Sequence, residues 1–361
     1  MVKQMYTVKQ ISEVDLLKKA QESIESVFSE IPFIKIIGRT KNNVKIDNKK
    51  FDILLSTIIA GKTVKFIVEV KSQGEPLIVR MAATQLKEYT KDIKNCYGIL
   101  VAPYLSDASR QICKEAGIGC IDLTGNAFLS FKNIFIDRTG RANLFTAIRV
   151  SKSVFSPKSS RVLRVLLSNP SKKWYVETIS READISIGLA SRIKQLLLSE
   201  EWIKDGNKGF YFVKPEEALN QWANSYSYRK NQMVSFYSGL SENQIETSIR
   251  EECEKRKYLY GLTLFSGARK VAPFVRFMRF FSYIEGEIDN IAEALQFKRV
   301  ESGANVTLLQ PYDKGILYGL QNINNINVVS DIQLYLDLKS YKGRGDEAAQ
   351  AIFEQRIKPK W

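Results

Sequence analysis

Apolar and polar positions in the first 150 residues switch repeatedly between a helical and a strand spacing. Residues 12–30 carry apolar side chains three and four positions apart, which predicts an amphipathic helix. The β-rich runs 50–59 and 63–71 flank a tight Ala60-Gly61-Lys62 turn and predict a hairpin. The same patterns predict helices at 77–94 and 107–116, and strands at 97–102, 118–123, 127–131 and 134–137, the last two as an edge hairpin. Strands that alternate with helices indicate an α/β sheet with a mixed strand order.

Residues 151–230 show the pattern of three short helices followed by a hairpin. Apolar faces predict helices at 159–167 and 176–183, and a third helix after the turn at 184–188. Strands are predicted at 202–204 and 210–213, because Asn207 and Gly209 lie between them in a tight turn. Three helices and a hairpin are typical of a winged helix–turn–helix, whose third helix enters the major groove of DNA.

The predicted third helix has an apolar side and a polar side. Leu189, Ile193, Leu196 and Leu197 share the side that is expected to pack inward. The residues expected to contact bases are Ser186 at the N-cap, Ser191, Arg192, Lys194 and Gln195, and those expected to contact phosphates from loops and wing are Lys172, Lys173, Lys204 and Lys208. These features predict double-stranded DNA as a partner; the alternative is a winged helix that contacts only protein.

Composition agrees with a polyanionic partner. The chain has 54 Lys+Arg and 39 Asp+Glu, a net charge of +15, which favours encounter with nucleic acid, although a charge that serves only solubility is the alternative. No stretch approaches the roughly 20 apolar residues that span a bilayer, and residues 1–10 lack the apolar region of a secretory signal. We therefore expect no membrane partner and a cytoplasmic location. The four cysteines lack metal-binding spacing and are expected to be reduced core residues.

A candidate catalytic pattern lies in the first predicted hairpin. Histidine is absent, so any catalysis must use carboxylates, lysine, hydroxyls or a bound metal. Asp52 begins one strand and Glu69-Val70-Lys71 ends the other, so strand alternation and the hairpin turn bring Asp52, Glu69 and Lys71 together. The two carboxylates could hold Mg²⁺ while Lys71 orients or deprotonates a water. Gln85, with Glu22 or Glu25, could complete the cluster; a surface ion pair is the alternative.

The elements around these residues resemble the PD-(D/E)xK nuclease-like fold: a helix, a hairpin with D…ExK, a helix with Gln85-Leu86, then strand, helix and strand. Phe51 replaces the proline that usually precedes the aspartate. The resemblance implies a mixed α/β sheet domain at 1–150 and, if the site is active, Mg²⁺-dependent DNA cleavage. Asp52, Glu69, Lys71 and Gln85 would then be catalytic, with Asp52, Glu69 and Glu25 as metal ligands. Many relatives of such folds serve for binding alone.

Further strings occur in all three segments: Glu69-Val70-Lys71, Ala102-Pro103-Tyr104, 120–127, 161–167, 329–338 and 343–349. They resemble bacterial winged-helix regulators grouped with the AbiEi-type antitoxins of type IV toxin–antitoxin and phage-defence systems. The resemblance implies a DNA-binding autorepressor whose C-terminal α+β domain, at 231–361, serves a cognate toxin or self-association. Antitoxins of this type usually begin with the winged helix, whereas here a nuclease-like domain precedes it.

The third segment opens with a predicted strand at 233–237 and ends with predicted helices at 331–339 and 345–357. A basic and aromatic stretch between them predicts either a strand with one core face or a nucleic-acid platform; it comprises Arg269, Lys270, Arg276 and Arg279 with Phe274, Phe277, Phe280 and Phe281. The sequence thus indicates an α/β multidomain protein with domains at 1–150, 151–230 and 231–361. Two functions are expected: a DNA-binding regulator or antitoxin-like protein, or a Mg²⁺-dependent DNA endonuclease guided by its winged helix.

Overall fold

The chain forms two compact units in a computed structural model. The structure describes residues 12–46, 49–59, 61–91, 93–143, 145, 154–272 and 279–361. The first unit comprises Met1–Lys152 with Leu198–Glu201, and the second comprises Ser153–Leu197 with Trp202–Trp361. The boundary predicted at 150/151 lies two residues from the division between the units, whereas the one predicted at 230/231 falls inside the second unit.

The first unit is built on one sheet whose seven described strands lie in chain order, β1 to β7. Neighbouring strands are antiparallel from β1 to β3, parallel from β3 to β5, and antiparallel again from β5 to β7. The combination of parallel and antiparallel pairs confirms the predicted mixed α/β class. The predicted mixed strand order is wrong, because the strands lie side by side in chain order. The elements are α1 (Glu13–Ser29), β1 (Ile34–Ile46), β2 (Lys49–Ile59), β3 (Lys62–Val70), α2 (Pro76–Thr90), β4 (Cys96–Ala102), α3 (Asp107–Ala116), β5 (Gly119–Asp122), β6 (Ala127–Phe131) and β7 (Ile134–Arg138).

Helices cover both faces of this sheet. On one face, Ile24 and Phe28 of α1 pack in the cluster that contains Val68. On the other face, α2 and α3 pack in the cluster that contains Ile67 and Leu100. Because side chains alternate along a strand, Glu69 shares the α2 face with Ile67, whereas the neighbouring residues of β3 face α1.

The first unit contains one strand that the sequence pattern did not reveal. β1 is an edge strand, its register against β2 shifts between Ile37 and Lys41, and several of its side chains, such as Ile36, are exposed. An edge strand that is open to solvent needs no regular apolar alternation, so its periodicity is weak. The predicted hairpin of β2 and β3 is confirmed, with Gly61 at a φ of +74° in its turn. Ala60 of that turn lies outside the described residues.

The second unit begins with three helices and a two-stranded hairpin at the predicted positions. Ile193 of the third helix is 1% exposed, and Leu163 of the first and Ile179 of the second are fully buried, so the inward faces form a core. Trp174 pairs through its backbone with Phe210 and extends the hairpin. The elements are α4 (Pro157–Ser168), α5 (Val176–Glu182), α6 (Ile187–Ser199), β8 (Ile203–Gly206), β9 (Gly209–Phe212) and α7 (Pro215–Ser225).

The rest of the second unit is a mixed sheet with helices around it. Its described strands lie in the order β13-β10-β14-β12-β11-β16-β15, with β12 parallel to β14 and β11 parallel to β16. The elements are β10 (Gln232–Tyr237), α8 (Glu242–Arg256), β11 (Leu259–Leu262), α9 (Leu264–Val271), β12 (Phe280–Glu285), α10 (Ile288–Ala294), β13 (Lys298–Arg299), β14 (Val306–Gln310), β15 (Gln321–Ile323), β16 (Ile326–Val328), α11 (Asp331–Lys339) and α12 (Gly345–Ile352), which a π-helical turn at Phe353–Ile357 extends.

Buried polar contacts join the three helices to this sheet region. Arg164 of α4 is 2% exposed, and its Nη2 donates to Oε1 of Gln333 at 2.6 Å. Gln333 in turn donates to Oδ1 of Asp337 at 2.9 Å. The Arg164 guanidinium also lies 4.7 Å from the ring centroid of Trp222. The residues predicted as a separate central domain are therefore packed into the same compact unit as the C-terminal sheet.

The basic and aromatic stretch is only partly described, because Phe274, Arg276 and Phe277 lie outside the described residues. Phe280 and Phe281 are the first two residues of β12, and both are buried. Arg269 and Lys270 both form ion pairs with Glu246, which is buried. Because neighbouring residues of a strand point to opposite faces, β12 is covered on both faces here and not only on the one core face predicted, and Arg269 and Lys270 are engaged within the fold.

Candidate functional site

The outward side chains of α6 are exposed to solvent between Ile187 and Gln195. Ala190, Ile193 and Leu197 are buried against the other helices, which directs the opposite side of α6 outward. Ser191, Arg192 and Gln195 are all exposed on that outward side. A helix with this arrangement can enter a groove of DNA, because its polar side chains reach solvent while its apolar side chains are packed against the other helices.

Ser186 begins α6 as the sequence pattern predicts. Its Oγ accepts a hydrogen bond from the backbone N–H of Leu189 at 3.3 Å, and its carbonyl accepts from Ala190 at 2.9 Å. A side-chain cap of this kind satisfies one of the free N–H groups at a helix start. Ser186 is therefore a structural residue of α6 in addition to being an exposed candidate for DNA contact.

The four loop and wing lysines are exposed. Lys172 and Lys173 precede α5, and Lys204 and Lys208 lie in the hairpin. The ammonium group of Lys172 lies 3.9 Å from the ring centroid of Trp174, which restrains the lysine stem. Exposed lysines in a loop and in a hairpin can contact the phosphates of a nucleic acid.

Lys194 differs from the other candidates because its charge is paired. Its Nζ lies 2.6 Å from Oδ1 of Asp205 in β8, and 5.5 Å from the ring centroid of Phe210. Only 20% of its side chain is exposed, against 57% for Asp205. Lys194 therefore ties α6 to the hairpin, and it presents less free charge than its position on the polar face of α6 suggests.

Two exposed apolar residues on this surface were not among the predicted site residues. Ile187 is 56% exposed at the first position of α6, and Tyr175 is 54% exposed at the N-cap of α5. The sequence pattern assigned Ile187 to the turn before the helix. Its spacing of four from Ser191 could have identified it, because residues four apart share one helix face.

The structure brings three residues of the predicted catalytic pattern together at one end of β2 and β3. Oδ2 of Asp52 accepts the backbone N–H of Val70 at 2.7 Å, and Nζ of Lys71 donates to Oε1 of Glu69 at 2.7 Å. The Ile53–Val68 pair precedes this end of the hairpin and fixes its register. The hairpin thus places Asp52 beside the strand end that carries Glu69 and Lys71.

Glu69 is in an unusual setting for a carboxylate, since it is only 6% exposed. Burial raises the pKa of Glu69 above its ordinary value, and the nearby charge of Asp52 raises it further, whereas the hydrogen bond from Lys71 lowers it. The net direction is upward, because the desolvation of the buried carboxylate outweighs the single ammonium group. A bound cation would offset the electrostatic cost of burying one carboxylate beside a second acidic group.

The other predicted members of the cluster are placed differently. Gln85 lies on α2, which covers the same sheet face as Glu69, and its Nε2 donates to the hydroxyl of Tyr89 at 2.9 Å. Glu25 is exposed on α1 and accepts a hydrogen bond from Gln21 at 2.8 Å, and Glu22 is exposed on the same helix. Because α1 covers the opposite face of the sheet, the structure does not bring Glu22 or Glu25 to the other carboxylates.

The described residues contain no group of three or more Cys, Asp or Glu side chains that could hold a metal ion. Asp52 and Glu69 therefore lie near each other without a third acidic side chain grouped with them among the described residues. The four cysteines are free, and Cys113, Cys120 and Cys253 are buried. Within the described ranges, no helix has the length and apolar character needed to cross a membrane.

Comparison with protein families gives one match. Residues 211–358 match a family described as "Transcriptional regulator, AbiEi antitoxin, Type IV TA system". The predicted resemblance to AbiEi-type proteins is thereby confirmed for this part of the chain, which runs from β9 through the C-terminal sheet to the last helical turn. The matched range begins after α4, α5 and α6. No curated protein matches the chain.

Two solved structures show a limited similarity. One is a repair endonuclease from Pyrococcus abyssi, with 20% identity and a TM-score of 0.22 over 31% of this chain and 46% of that chain. The other is the EndoMS-dsDNA2 complex, with 19% identity and a TM-score of 0.20 over 28% of this chain and 42% of that chain. The chain spans less than half of the length of either protein.

Proposed function

We propose that this chain is a DNA-binding regulator of the antitoxin type, which reads duplex DNA with α6 and holds the phosphates with the lysines around it. The observation that carries the proposal is the exposed polar face of α6 between Ser186 and Gln195, which the ion pair of Lys194 with Asp205 connects to the hairpin that carries the exposed Lys204 and Lys208. The net charge of +15 supports a polyanionic partner. The family that matches residues 211–358, described as a transcriptional regulator and antitoxin, supports the same class of function.

The hydrogen-bonding groups of the side chains indicate which residues of the proposed interface would contact bases and which would contact phosphates. Arg192 can donate two hydrogen bonds to a guanine edge, and Gln195 can bond an adenine in the same bidentate way. Lys172, Lys173, Lys204 and Lys208 carry no sequence information and would set orientation and affinity. The base contacts of Arg192 and Gln195 would distinguish DNA sequences, and the phosphate contacts of the lysines would make the affinity depend on salt concentration.

The direct test is the affinity of the full chain for fluorescent duplex DNA, measured by anisotropy. Replacing Arg192 and Lys194 together with Ala should weaken binding at least about tenfold, since the variant loses the guanidinium that would contact a base and the ammonium group that ties α6 to the hairpin. The matched control replaces Lys18 and Lys19, two exposed cations of α1, with Ala. Equal affinity of the native chain and the α6 double variant would remove α6 from the interface.

The C-terminal part would serve a protein partner. We expect residues 231–361 either to bind a cognate toxin or to pair with a second copy of the chain, because they make up most of the range that matches the antitoxin family. Light scattering of the purified chain distinguishes the two: a mass above the 41.2 kDa of one chain supports self-association, and a monomer leaves the toxin as the expected partner.

A second function rests on a separate observation, the contact of Glu69 with Lys71 beside Asp52. If this site is active, Asp52 and Glu69 would hold Mg²⁺, which would supply charge stabilisation at a DNA phosphate. Lys71 would orient the attacking water, and Gln85 would support the site from α2. The test is incubation of plasmid with Mg²⁺ and either the native chain or an Asp52→Ala variant. Nicking by the native chain alone supports a nuclease; nicking by both indicates contamination, and none by either favours the regulator.

A further inference from the structure

The first turn of α6 presents an apolar side chain where the rest of the exposed face is polar. Ile187 is 56% exposed, whereas Ile193 and Leu197 of the same helix are buried. Ile187, Ser191 and Gln195 are spaced by four and form one line along the helix. That line is the outward ridge, because Ala190, Ile193 and Leu197 on the opposite side are buried.

Space around Ile187 is open. The next residue is Gly188, and a Cβ built on it would meet no described atom within 4 Å. The tip of α6 is therefore narrow, with the Ile187 side chain as its main projection and the small Ser191 one turn later. A single exposed apolar side chain is common on protein surfaces and needs no explanation by itself. Ile187 is a candidate for DNA contact because it lies at the start of the helix that is proposed to enter the groove.

The surroundings of Ile187 favour DNA over an apolar protein partner. Arg192 follows on the same exposed side of α6, and Lys158, Arg161 and Lys314 line the cavity beside Ser186 at the start of α6, together with Asp184. An apolar protein groove would have to desolvate these cations, whereas duplex DNA pairs them with phosphates. Charge complementarity therefore selects the same partner as the proposed function.

We propose that Ile187 contacts the C5-methyl group of a thymine in the major groove, so that the chain prefers a T·A pair at the base opposite the start of α6. The inference rests on the proposed DNA-binding function and goes further by assigning one element of sequence preference. Residues at the N-terminal end of a recognition helix contact base edges, and thymine is the base that offers a methyl group in the major groove. Ile187 has no hydrogen-bonding group, so this methyl is the feature that it can recognise.

The test uses the full chain and pairs a change in the DNA with a change in the protein. A preferred duplex is first selected from a random-sequence pool, and each thymine in it is then replaced singly by deoxyuridine, which lacks only the C5-methyl. Replacement of the one thymine that Ile187 contacts should weaken binding by the native chain about fourfold, which is the effect of one buried methyl group. An Ile187→Ala variant should bind the thymine and deoxyuridine duplexes alike. The control variant, Phe135→Ala, loses an apolar side chain that is 72% exposed in the other unit and should keep the native discrimination.

The outcomes separate this inference from the proposed function. Binding without any thymine–deoxyuridine difference, or a difference that survives in Ile187→Ala, overturns the role of Ile187 and leaves DNA binding in place. Failure of the native chain to bind any duplex overturns both. Because Ile187 is exposed, the circular dichroism spectrum and melting temperature of Ile187→Ala should equal those of the native chain, which excludes loss of folding as the cause.

Discussion

Lys194 and Asp205 connect the helix and the hairpin of the proposed DNA-binding surface, with Nζ and Oδ1 2.6 Å apart. The pair places a negative charge beside the exposed lysines of the hairpin. An ion pair whose acidic partner is open to solvent contributes little to stability, because solvent screens it. Its main effect is expected on the charge that α6 presents to DNA.

Replacing Asp205 with Asn should therefore strengthen DNA binding. The variant keeps the shape of the side chain but frees the ammonium group of Lys194, so affinity at low salt should rise about threefold and the salt dependence should steepen by about one counterion. Anisotropy titrations at several salt concentrations measure both quantities. A Lys194→Ala, Asp205→Asn double variant serves as the control and should lose the gain. Weaker binding by Asp205→Asn would mean that the ion pair holds α6 in its binding position.

The loop and wing lysines should affect all DNA sequences equally. Replacing Lys204 or Lys208 with Ala should weaken binding to a preferred and an unrelated duplex by the same factor, because a phosphate contact carries no sequence information. Each substitution should also reduce the slope of log affinity against log salt by about one. Replacement of Arg192 provides the contrast, since it should weaken binding to the preferred duplex more. A lysine variant that changes only the preferred complex would contradict its assignment to phosphate.

The ion pair of Arg161 and Asp313 should make stability depend on pH. Arg161 donates from Nε and Nη2 to the two carboxylate oxygens of Asp313 at 2.8 and 2.7 Å, and the side chains are 11% and 8% exposed. Burial acts to raise the pKa of Asp313, but the hydrogen bonds from Arg161 and from the backbone of Gly315 lower it more, so the net pKa is below the ordinary value of 3.8. A lowered folded-state pKa contributes stability above that ordinary value, and the contribution is lost as the pH falls through the folded-state pKa.

An Asp313→Asn variant should therefore be less stable than the native chain by about 2 kcal/mol at pH 7, since one partner of a nearly buried pair is lost. The difference should stay constant from pH 7 to pH 5 and shrink as the pH falls below the ordinary value of 3.8 towards the lower folded-state pKa, because the unfolded chain then takes up a proton that the native carboxylate still excludes. Urea unfolding of both proteins across this range measures it. A difference that grows as the pH falls would contradict the direction of the shift.

Removal of the buried Arg164 guanidinium should destabilise the second unit strongly. In an Arg164→Met variant, Oε1 of Gln333 loses its 2.6 Å donor in a buried site, and we expect a cost of about 3 kcal/mol. The measurement is the urea midpoint of the full chain. Arg192→Ala, which removes an exposed arginine, should change stability by less than about 0.5 kcal/mol. Equal midpoints for the native chain and Arg164→Met would show that the network does not hold the unit together.

Several elements were predictable because their signals are local. The apolar spacing of α4, α5 and α6 and the turn between β8 and β9 each depend on a few consecutive residues. The meeting of Asp52 with the Glu69 strand also followed from the sequence, because a short hairpin fixes which residues lie opposite each other. The helix predicted at 77–94 ends at Thr90 instead, since helix ends carry weaker signals than helix faces.

Other features depend on contacts between residues far apart in the chain. Glu25 has the right residue type for a metal site, but α1 packs on the far face of the sheet. Lys194 is a free cation in the sequence, and only the hairpin position of Asp205 neutralises it. Ile187 belongs to the turn by pattern, and the structure adds it to α6.

The sequence by itself determined the kinds of elements, their order and the basic character of the surface, since periodicity, turn residues and net charge are properties of short stretches and of composition. The tertiary structure decided which faces meet, which cations keep their charge and which apolar side chain stays in solvent. Those outcomes depend on packing between distant elements, where burial and partner charges set the energy of each group, and no local pattern contains that information.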